Sequence, residues 1–155
     1  MALPLVIVGE GPLRPTLEAQ VGAQGLTNIT FRGWLSREET MATMKEAVFL
    51  VTPSEWYETF GMVITEAFAC GVPVICSRMG TMKEIVADQC TGLHFTPGDA
   101  EDLATKAEWA CSHRSRLDDM RRSARHEYES RYTAQKNYGQ LMGIYDQTVY
   151  SGGRN

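Results

Sequence analysis

From Ala47 to Ser77 the chain reads AVFLVTPSEWYETFGMVITEAFACGVPVICS, and this stretch decides the fold. Ala47–Val51 is a short unbroken apolar run, the pattern of a strand buried on both faces. Thr52 to Gly61 reads as a loop, and Met62–Cys70 as a helix stopped by Gly71. Val74–Ser77 is apolar again and reads as the next strand. Strand, helix, strand is the signature of parallel βα units.

The same alternation extends outward in both directions. Leu3–Val8 is predicted as a strand, followed by the turn Gly9-Glu10-Gly11-Pro12 and a helix carrying Leu13, Leu17 and Val21. Ile29–Phe31 is a second strand that ends at Arg32-Gly33-Trp34. Ser36-Arg37-Glu38-Glu39 has the spacing of a capping box, in which the Ser36 hydroxyl and Glu39 carboxylate satisfy free amides. Beyond Ser77 come a short helix around Met82–Val86 and a strand at Gly92–Phe95. The turn Pro97-Gly98-Asp99 follows, with Asp99 as N-cap of the helix Ala100–Cys111. Ser115–Arg131 is a highly charged helix. Thr133–Tyr150 is a further helix with Tyr138, Leu141, Tyr145 and Val149 near one stripe. The fold class is therefore α/β, a doubly wound, mostly parallel Rossmann-like sheet with a C-terminal helical tail. Residues 1–112 are expected to form the Rossmann-like domain, and residues 113–155 a helical tail packed on it.

Composition narrows the functions. The 155 residues are 43% apolar and 22% charged with net charge −4, which suits one globular domain and gives no long-range pull on nucleic acid. Cys70, Cys76, Cys90 and Cys111 show no metal-ligand spacing and read as reduced, buried thiols. No run approaches the ~18 apolar residues of a spanning helix, the N-terminus lacks a signal-peptide pattern, and membrane association is not indicated; the cytoplasm is the default location.

Ligands of such sheets sit beyond the carboxyl ends of the strands, where loops enter helices. The loop Pro53 to Phe60 ends at Gly61, and the first free amides of the helix, near Phe60 to Val63, suit a phosphate. Glu66 lies in an apolar helix that is expected to be largely buried, so its carboxylate needs a partner. No basic residue stands three or four positions away. A vicinal diol would serve, since two carboxylate oxygens can accept from two hydroxyls. A distant arginine would serve too. Glu58 is either a contact to a sugar beyond the phosphate or an exposed loop acid.

One larger pattern bears on that choice. Pro53-Ser54-x3-Glu58-x-Phe60-Gly61-x4-Glu66-Ala67-x3-Gly71-x-Pro73-Val74 resembles the E-x7-E motif of the retaining group 1 glycosyl transferases. Ile7-Val8-Gly9-Glu10-Gly11-Pro12, Phe31-x-Gly33, Glu84-Ile85-Val86 and Thr91-Gly92-Leu93 extend the resemblance from about Leu5 to Asp102. These enzymes have two Rossmann-like domains, the B-type fold, and use nucleotide-diphosphate sugars. The resemblance implies that this chain is the C-terminal, donor-binding domain and transfers a hexosyl group to an acceptor hydroxyl. It gives Glu66 the ribose hydroxyls and Glu58, as catalytic residue, the transferred sugar. Amides of Phe60, Gly61, Met62 and Val63 would meet phosphate and sugar, and main chain near Arg32, Gly33 and Trp34 would border the base. Where the family carries Gly-Gly ahead of its next Glu, this chain has Gly80-Thr81 before Glu84, so a side chain stands where the pattern has none. No metal and no cofactor are implied; the nucleotide sugar is the donor substrate. An epimerase or phosphorylase of similar fold, or a non-catalytic sugar-nucleotide-binding module, are the alternatives.

The remaining motifs read as structural. Gly9-Glu10-Gly11 lacks the third glycine of a dinucleotide fingerprint, His94, His113 and His126 have no metal or triad spacing, and the arginines of 114–131 form a solvated helix face. Against the family pattern the chain also lacks an earlier strand and the Arg and Lys that follow it. Alone it is expected to be inactive, missing an N-terminal acceptor-binding domain. The strands Leu3–Val8 and Ala47–Val51 are expected to close on each other or to self-associate through their unpaired edges.

Overall fold

The computed structural model describes residues 3–151, with side chains through residue 148. The chain divides into two compact units, Met1–Thr43 and Met44–Asn155.

The first unit holds β1 (Leu5–Val8), α1 (Arg14–Ala23), β2 (Ile29–Gly33) and the start of α2 (Arg37–Glu46). β1 and β2 pair in parallel, Leu5 opposite Ile29 and Ile7 opposite Phe31, with a register shift before Val8. Ile7, Leu17, Val21, Leu26, Ile29 and Phe31 face a small cavity between the strands and α1. The capping box forms as expected. The Ser36 amide donates to Glu39 Oε2 at 2.8 Å and the Glu39 amide to Ser36 Oγ at 3.2 Å, and the Ser36 hydroxyl holds the Glu39 carboxyl below the usual range. Leu13, expected on the helix, stands at the N-cap and is exposed.

The second unit contains a parallel sheet in the order β3-β4-β5, made of Leu50–Thr52, Val74–Ser77 and Gly92–Phe95. Its helices are α3 (Met62–Ala69), α4 (Gly80–Ile85), α5 (Ala100–Ser112), α6 (Arg114–Glu127) and α7 (Ala134–Ser151), with a π-helical turn at Tyr128–Tyr132. β4 is buried throughout because helices cover both faces of the sheet. Val74 and Cys76 pack with Ile64, Phe68, Met82 and Ala124 on one side. Ile75, Leu93 and Phe95 pack with Ala110, Leu117 and Met120 on the other. Strand alternation sends neighbours to opposite faces, so this double cover is what the unbroken apolar runs require. Asp99 caps α5 through the amides of Glu101 and Asp102 at 3.0 and 2.9 Å.

Three readings need correction. The strand expected at Ala47–Val51 begins only at Leu50. The carbonyls of Ala47 and Val48 accept from the Arg121 guanidinium at 3.2 to 3.3 Å instead of joining a ladder. Hence α6 is not simply a solvated face: Arg121 satisfies carbonyls after α2, and Arg125 donates to the Ala69 carbonyl at the end of α3. Cys76 is buried and Cys70 and Cys111 are half-buried, but Cys90 is exposed. Apart from these three, the α7 stripe of Tyr138, Leu141 and Tyr145 is exposed, and the Val149 side chain lies outside the described residues. No helix of the described residues is long and apolar enough to cross a membrane.

Candidate functional site

The loop from Pro53 to Phe60 leads from the carboxyl end of β3 to α3. Gly61 closes it with φ +73°, and a Cβ there would stand 3.2 Å from Ile64 Cδ1. Only glycine meets both conditions comfortably. The first amides of α3 then have no acceptor within their own helix.

α3 has a buried and an open side. Ile64, Thr65, Ala67 and Phe68 are buried, whereas Met62 and Val63 are exposed and Glu66 is half-buried. At about 100° per residue, Glu66 falls at the centre of the open side, between Met62 and Cys70. The helix expected to be largely buried thus has four of its eight residues buried and keeps an open side. The ion pairs of the described residues do not include Glu66.

Glu58 is fixed at both ends. Its Oε1 accepts from Ser54 Oγ at 3.0 Å, and its carbonyl accepts from Thr81 Oγ1 at 2.6 Å. The Thr81 side chain, an oddity in the sequence pattern, thus clamps the β3–α3 loop to the first turn of α4. Gly80 has φ +50°, and a Cβ on it would lie 2.8 Å from Tyr57 Cδ1. Phe60 meets the Tyr132 ring edge-on, with centroids 6.2 Å apart at 78°. Burial raises the Tyr132 phenol above its ordinary range.

Two hydroxyls at the strand ends, Thr52 Oγ1 and Ser77 Oγ, are buried without a partner among the described residues. Cys76 is no nucleophile: burial above all, helped by Asp88, pushes its thiol up to about 12.

The second unit thus ties Glu58 to Thr81 and Tyr57 to Gly80, and aligns Met62, Val63 and Glu66 on one helix face. Arg32, Gly33 and Trp34 belong to the first unit. There Gly33 is buried against Glu10, whose Oε1 a Cβ would approach to 2.7 Å, and Trp34 is 81% exposed. Sequence reasoning missed Tyr57 and Tyr132, and it quoted Ser54 in the motif without its bond to Glu58, which the four-residue spacing in the loop could have suggested. Tyr132 had no local signal.

The family model for group 1 glycosyl transferases matches residues 2–127. The chain belongs to that family. It is 33% identical over 133 residues to the D-rhamnosyltransferase WbpZ of Pseudomonas aeruginosa, covering 84% of this chain and 35% of that protein. Sucrose-phosphate synthase of Thermosynechococcus elongatus superimposes with a TM-score of 0.85 at 28% identity, over 96% of this chain and 39% of the other. HepE of Anabaena, solved in complex with UDP, gives 0.86 at 22% identity, over 94% and 41%; that likeness is one of fold. The group 1 chain described here spans about a third of the length of the curated relatives it matches.

Proposed function

We propose that this chain is the nucleotide-diphosphate-sugar-binding part of a retaining glycosyltransferase, which moves a hexosyl group to an acceptor hydroxyl. One observation carries the proposal: two carboxylates flank the start of α3. Glu58 is fixed just before Gly61, and Glu66 stands centrally on the helix's open face. With a rise of ~1.5 Å per residue, Glu66 lies about 7–8 Å along the axis from Gly61, a fair separation for a phosphate and a ribose diol. Amides of Phe60, Gly61, Met62 and Val63 take phosphate and sugar, Glu66 the diol, and Glu58 orients the sugar beside Gly80 and Thr81. On the family resemblance alone, main chain near Arg32, Gly33 and Trp34 borders the base. The protein's work is positioning and stabilisation of charge on the departing pyrophosphate, with no metal or cofactor invoked. Acceptor recognition is assigned to a further domain of the full-length protein. The UDP-glucose complex of HepE, a protein of the same fold, supports this donor class.

Calorimetric titration tests the reading. Glu66→Ala should weaken binding of a bare nucleotide and of its diphosphate sugar alike, by ~1.5–3 kcal/mol for each charge-assisted bond lost. The fold should survive, since no ion pair is removed. Unchanged nucleotide affinity sinks the assignment.

A further inference from the structure

Tyr57 is 79% exposed, yet its ring has a definite seat. The flank formed by Cγ, Cδ1 and Cε1 rests on Gly80, where any side chain would intrude on it. A ring that merely trailed in solvent would need no bare backbone beneath it. The seat is also rigidly tied to Glu58, the next residue: Thr81, adjacent to Gly80, holds the Glu58 carbonyl, and Ser54 holds its carboxylate. Trp56, 67% exposed, adds a second ring to the same loop. Apolar groups exposed together beside a fixed polar anchor mark a recognition surface.

We propose that Tyr57 is a stacking platform for the pyranose ring of the transferred sugar, and so a specificity-determining residue; this rests on the assignment of Glu58 above. A pyranose is amphipathic. Its hydroxyls offer donors to a carboxylate, while its C–H faces are apolar and match the face of an aromatic ring. Tyr57 and Glu58 supply those two complements in consecutive positions. Sugars with an unobstructed C–H face fit the platform, and those with an axial substituent on that face are disfavoured.

Saturation-transfer NMR on the chain with UDP-glucose, GDP-mannose, ADP-glucose and dTDP-rhamnose tests this, with calorimetry on whichever binds most tightly and on its bare nucleotide. The hexosyl C–H protons should receive saturation in the wild type and in Tyr57→Phe. In Tyr57→Ala they should lose it, while the ribose protons keep theirs. Affinity for the nucleotide sugar should fall roughly two- to tenfold, and affinity for the bare nucleotide should hold. Parallel losses at ribose and hexose, or none at the hexose, overturn the proposal. If no nucleotide binds the wild type, the reading of the chain as a nucleotide-sugar binder fails instead. The platform is then decided with methyl α-D-glucopyranoside and methyl α-D-mannopyranoside: transfer abolished by Tyr57→Ala upholds it, and absent transfer overturns it.

Discussion

A carboxylate held by one hydroxyl through its side chain and by another through its carbonyl has little freedom left, and Glu58 is such a residue. Pre-organisation of this kind lowers the entropy lost when a ligand is gripped. The negative charge matters as much as the geometry, because bonds from hydroxyls to an ionised carboxylate are about twice as strong as neutral ones. Glu58→Gln keeps the Ser54 and Thr81 contacts available but removes the charge. In a full-length enzyme it should lower sugar transfer roughly 10- to 100-fold while leaving bare-nucleotide affinity unchanged. Steady-state kinetics beside nucleotide titration separates the two quantities. An equal loss of nucleotide binding in Glu58→Gln and Glu66→Ala would show that the two acids have been given the wrong roles.

Elements whose signals are local read well from sequence, and α5 is the clearest case. Asp99 before Ala100 has the chemistry of an N-cap, and both bonds it makes stay within three residues. The open face of α3 was not legible, because periodicity reports apolar residues and not what covers them. The start of β3 was misplaced for a different reason: Arg121 takes the Ala47 carbonyl from 74 residues away. In the candidate site, Glu58 and Glu66 were singled out from spacing and the family resemblance, and their roles are the proposal above; the Thr81 clamp, 23 residues away, had no local signal. Asp102 in α5 gives a test at this scale. Its carboxylate accepts from the Thr96 amide at 2.8 Å and the Thr96 hydroxyl at 3.0 Å, and these bonds, with Lys106, hold it below the usual range. A carboxyl depressed in the folded state stabilises above its unfolded pKa of about 3.9, and that contribution is lost as pH falls through the folded value. Asp102→Asn should therefore flatten the acid limb of the urea midpoint against pH below about pH 4. An unchanged acid limb means the Thr96 bonds do not matter to stability.

At the scale of the whole molecule, the two units differ sharply in burial. The second carries both apolar clusters, whereas among residues 3–43 only Gly33 is buried. The sequence of β1, Leu5-Val6-Ile7-Val8, is that of a strand covered on both faces, yet Leu5, Val6 and Val8 are 42%, 44% and 40% exposed. Among the described residues, β1 has one strand partner, β2, and β3 has one, β4. An edge strand is normally protected by charge, a bulge or a cover, and β1 contains no charged residue. A short, uncharged, exposed edge is a template for pairing with a second copy. Light scattering should accordingly give a mass above the 17.3 kDa of one chain, rising with concentration. Val6→Lys places a charge on that edge and should return the chain toward a monomer without touching either cluster of the second unit. Tyr145→Glu serves as the comparison, since it charges the exposed stripe of α7 instead. Recovery of the monomer by Tyr145→Glu alone would move the contact from β1 to the tail, and a wild-type chain that stays monomeric at every concentration would refute self-association by either surface.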